Sequence, residues 1–162
     1  MSRSIFWEIK KIKEKAVKNI FGVAGGASGG DIIFHEQCRK LDIKTGLFLP
    51  LPVEEYKKRS VADSGGDWIR RFNLLYSSLP VFFMPKNFEP FANSEEKLNV
   101  WQKNNLWQLD FCFQNGSENI SLLALWDGKR ADGSGGTEDM VNKIMAAGGE
   151  VKQIDPNSLG FL

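Results

Sequence analysis

The sequence predicts an α/β domain built on a mostly parallel sheet of about five strands. Three observations predict it. Short apolar runs alternate with segments that repeat apolar residues at helical spacing, a pattern typical of parallel sheets covered by helices. Two of the apolar runs lead into glycine-rich loops. The 162 residues, 42% hydrophobic and 25% charged, have the composition of one globular domain, and no internal repeat or linker divides them.

The chain opens on a predicted helix followed by a strand. Apolar residues recur at helical spacing from Ile5 to Ala16, which predicts a helix over 4–16 with Ser4 as its N-cap. The apolar run 19–24 then predicts a first strand, and a cluster of small residues follows it directly.

The middle of the chain alternates in the same way. The stretch 31–41 has helical spacing and begins with an acidic residue, and prolines close the apolar run that comes next. We therefore predict, in order, a helix at 31–41, a strand at 44–51, helices at 53–59 and 67–77, and a strand at 81–84.

The last part of the chain contains the longest predicted helix, with Ser94 as its cap. The run 120–126 is apolar without interruption, as in a strand buried on both faces. We predict a helix at 94–112, a strand at 120–126, a helix at 138–147 and a strand at 151–154.

Both glycine-rich loops lie where a strand ends and a helix begins, and ligands of open parallel sheets bind at this edge. Glycines let a ligand touch the backbone, and the free amides and dipole of the following helix favour an anion such as phosphate. The first loop contains Gly25, Gly26, Ser28, Gly29 and Gly30. The second contains Gly133, Ser134, Gly135, Gly136 and Thr137.

Packing offers an alternative explanation for the same residues. Tight contact between strand and helix would account for the first loop, which lacks the GK[ST] sequence of a P-loop. Thr137 could cap the last helix instead of binding phosphate. Two such loops in one small domain nevertheless favour a nucleotide-like ligand over packing alone.

Several stretches, taken in order, resemble a known superfamily. They are GGASGGDIIFHEQCRKLDI, FLPLP, DWIRRF, LALWDGK and GSGGTEDM. Over about residues 18–155, the set is similar to the SLOG superfamily of Rossmann-like domains, which includes the LOG phosphoribohydrolases. The resemblance implies a three-layer Rossmann-like fold and a nucleotide or nucleotide-derived ligand. It also implies that Gly135, Gly136 and Thr137 hold a phosphate and that the first loop lies near the ribose or a second phosphate.

The chain departs from the pattern of the LOG enzymes in two ways. Those enzymes carry a glutamate three residues after the threonine, where this chain has Met140. The superfamily also usually has another strand before the first helix. We therefore expect either a piece of a longer chain or a sheet that is smaller or completed by a partner.

Individual polar residues at the predicted ligand edge are the remaining candidates. Asp31 could bind a ribose hydroxyl or cap its helix. Arg70 could bind a phosphate through its guanidinium group or form a surface ion pair. Asp127 and Glu138 are the candidate catalytic carboxylates. We interpret His35 as a packed or solvated histidine, since a lone histidine is seldom a catalytic base.

Composition excludes several function classes. A net charge of +1 gives no reason to expect nucleic acid or a membrane as partner. Cys38 and Cys112 lie in apolar surroundings and indicate free thiols in a reducing compartment, so we expect a cytoplasmic protein. One histidine makes a His-rich metal site implausible, and we expect neither a metal nor a cofactor.

The sequence thus predicts a sensor or regulatory module that binds a nucleotide or nucleotide-derived small molecule. An N-glycosidic bond hydrolase acting on a nucleoside phosphate or a dinucleotide is the enzymatic alternative. A structural or interaction domain is the third. The sequence leaves the oligomeric state open, including a homo-oligomer.

Overall fold

The chain forms two compact units, Met1–Met84 and Pro85–Leu162. The computed structural model describes residues 1–90, 97–116, 119–128 and 136–159. For residues 158 and 159 it describes only the backbone. Each unit contains parallel strands alternating with helices, which confirms the α/β class.

The first unit contains four α-helices, one 3₁₀ turn (Ala62–Ser64) and three strands among its described elements. The helices are α1 (Ser2–Lys15), α2 (Gly30–Lys40), α3 (Val53–Ser60) and α4 (Trp68–Ser78), and the strands are β1 (Phe21–Ala24), β2 (Lys44–Leu49) and β3 (Val81–Phe83). The strands lie side by side in the order β1-β2-β3, and both pairings are parallel. Consecutive strands joined by a helix therefore pair as the alternation predicts.

One face of this sheet packs against the helices. Helix α2 covers the glycine at position 22, where a Cβ atom would lie 2.9 Å from the ring of Phe34. Phe72 of α4 and Leu47 of β2 are both fully buried. Helix α1 packs in turn on α2, and its residues Ile5 and Ile9 are buried. Apolar spacing thus positions α2, and with it the first glycine loop, over the sheet.

The opposite face of the same sheet is aromatic. A Cβ atom at Gly46 would lie 2.8 Å from Phe82 and 3.0 Å from both Phe21 and Phe48, so only glycine fits there without rearrangement. The rings of Phe48 and Phe82 stack at 4.7 Å between centroids. The two faces together hold β2, the central strand, in a buried position.

The second unit contains a two-stranded parallel sheet. Its described elements are α5 (Val100–Gly116), β4 (Ser121–Leu125), α6 (Thr137–Ala146), β5 (Glu150–Ile154) and a 3₁₀ turn (Pro156–Leu159). Helix α6 connects the two strands and packs on both of them, with Val141 and Ile144 buried. The register runs from Ser121 opposite Glu150 to Leu125 opposite Ile154.

The prediction of one five-stranded sheet is wrong. The five described strands form separate sheets of three and two strands. Alternation predicts that consecutive strands connected through helices pair in parallel, and this is confirmed for β1 with β2, β2 with β3 and β4 with β5. It does not specify whether β3 and β4, which are separated by the long helix α5, belong to one sheet.

Of the three helix caps that the sequence predicts, Ser4 is wrong, Asp67 is confirmed as the N-cap position of α4, and Ser94 lies outside the described residues. Helix α1 begins before Ser4, which lies inside it. Asp67 occupies the N-cap position of α4, but its side chain makes no capping hydrogen bond. Ser94 is not among the described residues, and α5 begins only at Val100.

The start of α5 is instead set by a reciprocal cap. The Asn99 side-chain oxygen accepts hydrogen bonds from the amides of Trp101 and Gln102, each at 2.9 Å. The Gln102 side chain accepts from the Asn99 amide at 2.9 Å. These bonds satisfy amides that a helix start would otherwise leave without partners.

Candidate functional site

The first glycine loop follows β1, and two of its glycines are required by close packing. A Cβ atom at Gly25 would lie 2.7 Å from Oδ2 of Asp31 and 3.1 Å from the Tyr56 hydroxyl. At Gly26 it would lie 2.7 Å from the ring of Phe72 and 2.9 Å from Leu47. The groups that come close to the backbone at these two positions are therefore side chains of the protein itself.

Gly29 has a different role in the loop. Its φ angle is +97°, a value that other residues rarely adopt, and a Cβ atom there would meet open space. Gly29 is the N-cap of α2, which begins at Gly30. The loop thus has a packed side at Gly25 and Gly26 and an open side at Gly29.

Three successive amides of the loop donate hydrogen bonds within the protein. The Gly26 amide donates to the Tyr56 hydroxyl at 2.9 Å, and the Ala27 amide donates to Oδ2 of Asp31 at 3.2 Å. The Ser28 amide donates to the Ser60 carbonyl at 2.9 Å. These amides are consequently occupied, unlike those of a loop that wraps a phosphate.

Asp31, in the first turn of α2, is the chemically unusual residue beside the loop. Part of the residue is exposed, but desolvation of its carboxyl raises its pKa, and the hydrogen bond from Ala27 opposes this effect. Asp31 makes no salt bridge to any residue in the described ranges. A desolvated carboxyl without a cationic partner is costly for a purely structural role.

Tyr56 lies beside this carboxyl. The tyrosine is only 2% exposed. Burial raises the pKa of its hydroxyl, and the charge of Asp31 raises it further, so the hydroxyl keeps its proton. Its oxygen accepts a hydrogen bond from the Gly26 amide.

His35 links the loop to strand β2 through two hydrogen bonds. Its Nε2 atom lies 2.8 Å from the Gly25 carbonyl oxygen, and its Nδ1 atom lies 2.8 Å from the Thr45 hydroxyl. Because a carbonyl only accepts, this geometry assigns the proton to Nε2 and makes Nδ1 the acceptor. Burial lowers the pKa of the ring. His35 is therefore a packed, neutral histidine, and packing is one of the two alternatives that the sequence left open.

Serines form one rim of the loop. The hydroxyl oxygens of Ser28 and Ser64 lie 2.5 Å apart. Ser64 is followed by Gly65 and Gly66, both with positive φ and open space where a Cβ atom would be. A second, exposed glycine pair thus borders the first loop.

Sequence reasoning missed three residues of this site. Tyr56, Ser60 and Ser64 all contact the loop from the segment that follows β2. The SGG triplet at 64–66 was a visible signal, since it repeats the small-residue character of the first loop. Tyr56 gave no signal, because its hydroxyl reaches the loop only through the packing of α3.

The predicted phosphate-binding arginine is already paired. Arg70 is exposed, and its guanidinium donates to both carboxylate oxygens of Asp67 at 2.5–3.0 Å. The neighbouring Arg71 donates to both oxygens of Glu36 at 2.8 and 2.6 Å and stacks on Trp68 at 4.0 Å. A phosphate would have to displace a carboxylate from either arginine.

The second predicted site belongs to the other unit. Gly136 is buried and is the N-cap of α6, while Thr137 is the first residue of that helix. Thr137 therefore does not cap the helix. Glu138 lies partly exposed in the first turn, and Asp127 is exposed after β4. Gly133, Ser134 and Gly135 lie outside the described residues.

The described residues contain no group of three or more metal-binding side chains. Cys38 and Cys112 are free thiols in the structure, and burial raises their pKa values to about 12 and about 11, respectively. Thiols with such pKa values are unreactive at neutral pH. In the described parts of the chain, no helix is long and apolar enough to cross a membrane.

Comparisons with known proteins give no match. No family model, no curated protein and no solved structure matches this chain. The resemblance to the SLOG superfamily therefore stays a prediction.

Proposed function

We propose that the chain binds a nucleotide or nucleotide-derived ligand and acts as a sensor or regulatory module. The observation that supports this most is the Asp31 carboxyl, which is desolvated and makes no salt bridge within the described residues. Titratable groups with perturbed pKa values cluster at functional sites, because binding and catalysis require groups whose pKa values differ from those in water. Asp31 also lies next to a loop that follows the carboxyl end of a parallel strand, where α/β proteins bind ligands.

The chemistry of the loop suits a ribose. Asp31 can accept hydrogen bonds from hydroxyl groups, and the protonated Tyr56 hydroxyl stands beside it. The open space at Gly29 offers an approach to the backbone. The resemblance implies a three-layer Rossmann-like fold and, separately, a phosphate held by the second loop, Gly133–Thr137. That three-layer arrangement is part of the proposal.

A hydrolase of N-glycosidic bonds is the second candidate, because one observation favours it. A carboxyl whose pKa is raised by burial can hold a proton and deliver it to a departing base. Asp31 therefore joins Asp127 and Glu138 as a candidate catalytic carboxyl. Sensor and hydrolase differ in whether the bound ligand is recovered intact.

A thermal-shift screen tests both candidates. The panel contains nucleoside monophosphates, NAD, ADP-ribose and cyclic dinucleotides. A ligand at about 100 times its dissociation constant stabilises the fold by about 2.7 kcal/mol, which raises the Tm by about 5–10 °C for a chain of this length. Chromatography of the ligand after incubation then separates sensing, with intact ligand, from hydrolysis, with a free base.

Matched variants locate the ligand. Asp31→Asn should abolish the shift, while Asp42→Asn should retain it. Asp42 is exposed just after α2 and has a φ angle of +53°, which asparagine tolerates well. If no member of the panel shifts the Tm, nucleotide binding is refuted and a structural or interaction domain becomes the preferred function.

A further inference from the structure

We propose that the solvent-facing side of α1 docks on an anionic membrane surface. Trp7 enters the layer of lipid headgroups there, and the basic residues around it bind the negative charge of the lipids. The inference goes beyond the proposed function and does not depend on it, because it concerns a different surface of the first unit.

Helix α1 has a buried side and an outer face. Ile5 and Ile9 are buried, and the helix packs on α2. Trp7 is two residues away from each of them and therefore lies on the opposite side, since each residue turns an α-helix by about 100°. Residues three, four and seven positions from Trp7 share its side of the helix. The outer face of α1 thus consists of Arg3, Trp7, Lys10, Lys11 and Glu14.

An exposed indole ring lies at the centre of this outer face. Trp7 is 45% exposed, although tryptophan is usually well buried in folded proteins. The ammonium nitrogen of Lys10 lies 4.8 Å from the centroid of the ring. Tryptophan is enriched at membrane–water interfaces, where its apolar ring is buried and its N–H group stays hydrated. A lysine beside it keeps its charge at the level of the headgroups.

The segment that contains α1 is also the basic part of the chain. Residues 1–18 include six basic and two acidic side chains, which give a net charge of +4. The rest of the chain has 15 basic and 18 acidic side chains, a net charge of −3, so the overall +1 conceals this asymmetry. Glu8 and Glu14 pair with Lys11 and Lys10, which leaves four positive charges in excess. Basic segments of this kind are attracted to the negative surface of anionic membranes.

Exposed apolar residues favour a lipid surface over nucleic acid as the partner. Val17, two residues after α1, is 99% exposed, and Phe21 is 44% exposed. Contacts with a phosphate backbone make no use of such side chains, whereas headgroup layers take them up. Five of the six basic residues are lysines, while recognition of single phosphates favours the guanidinium of arginine. Basic charge together with inserted apolar groups supplies the two signals that membrane docking needs.

Co-sedimentation of the full chain with lipid vesicles tests the inference. One set of vesicles contains phosphatidylcholine alone, and the other contains an equal mixture of phosphatidylcholine and phosphatidylserine. We expect the chain to bind the mixed vesicles about tenfold more tightly than the neutral ones, and to bind them more weakly at high salt. Duplex DNA of random sequence is the third probe, and the chain should not bind it under the same conditions.

Charge reversal locates the surface. The double variant Lys10→Glu/Lys11→Glu should weaken binding to the mixed vesicles by about tenfold or more, because it inverts two charges of the outer face. The matched control is Lys58→Glu/Lys86→Glu, which changes the net charge by the same amount at two exposed lysines outside α1. The control should bind as the wild type does.

Removing the indole tests the apolar part of the contact. Trp7→Ala should weaken binding to the mixed vesicles by about tenfold, because the inserted ring is lost. Leu74→Ala removes apolar surface from a leucine of α4 that is similarly exposed, and it should bind as the wild type does. Thermal scans verify that each variant is folded, and the comparison of the two vesicle types needs no variant.

Several results would overturn the inference. They are equal binding to both kinds of vesicle, no binding to either, and unchanged binding by Lys10→Glu/Lys11→Glu or by Trp7→Ala. Binding to DNA instead of the anionic vesicles, lost in the same variants, would assign the outer face of α1 to nucleic acid. The nucleotide panel tests the proposed function separately, so a failure of membrane binding leaves that function standing.

Discussion

Replacing Gly26 with alanine tests whether packing explains the first glycine loop. The added methyl carbon would lie 2.7 Å from Cε2 of Phe72 and 2.9 Å from Cδ1 of Leu47. Both neighbours are fully buried, so neither can move into solvent. The backbone at Gly26 does not have the positive φ that alanine avoids, so the effect isolates the steric contact.

The expected magnitude follows from two opposing terms. Overpacking a buried site costs about 1–3 kcal/mol. Replacing glycine with alanine stabilises by about 0.4–1 kcal/mol, because it restricts the unfolded chain. The net loss should be about 1–2 kcal/mol, which lowers the Tm by about 2–8 °C for a chain of this length.

Urea denaturation and thermal scans of the two variants Gly26→Ala and Gly116→Ala measure this effect. A Cβ atom at Gly116 would meet open space, so the second variant should be about 0.4–1 kcal/mol more stable than the wild type. The reasoning is refuted if Gly26→Ala is as stable as the wild type. In that case, the neighbours have room to move, and close approach of a ligand becomes the better reason for the glycine.

Three further predictions concern the loop and the second unit. Burial raises the pKa of Asp31 above 3.8. The stability that the protonated carboxyl contributes is therefore fully present below pH 3.8 and is lost as the pH rises through the folded-state pKa. Asp31→Asn should therefore be more stable than the wild type at pH 7 and equally stable at pH 3, by urea denaturation. Burial lowers the pKa of His35, so its contribution is present above pH 6.5 and is lost as pH falls through the folded-state pKa. His35→Gln should be less stable at pH 7, because Gly25 and Thr45 lose the imidazole, and its stability should fall less between pH 6.5 and 5. Asn99→Ala should lose about 0.5–2 kcal/mol by urea denaturation, because α5 loses its cap.

Each of these predictions has a contrary result. A stability difference between Asp31→Asn and wild type that does not change with pH would mean that the carboxyl is not desolvated. If the stability of His35→Gln falls as much between pH 6.5 and 5 as that of the wild type, the carboxylates cause this pH dependence, since His35 is the chain's one histidine. An unaffected Asn99→Ala variant would show that water replaces the cap.

Local patterns in the sequence determined the elements of this fold. Every predicted strand and helix that falls on described residues is present, most of them within two residues of the predicted bounds. The spacing of apolar residues carries this information because it reflects which face of one element is buried. The loop position of Gly25–Gly29 also follows, since glycines interrupt both kinds of periodicity.

Tertiary structure alone decided the chemistry of the site and the division of the sheet. Tyr56 and Ser64 reach the loop from 30 and 36 residues away, and no local pattern encodes such a contact. The desolvation of Asp31 likewise depends on groups that packing brings around it. The separation into sheets of three and two strands depends on which strand edges meet. Local periodicity specifies how each element buries its own face, whereas the neighbour that covers that face is chosen only when the whole chain packs.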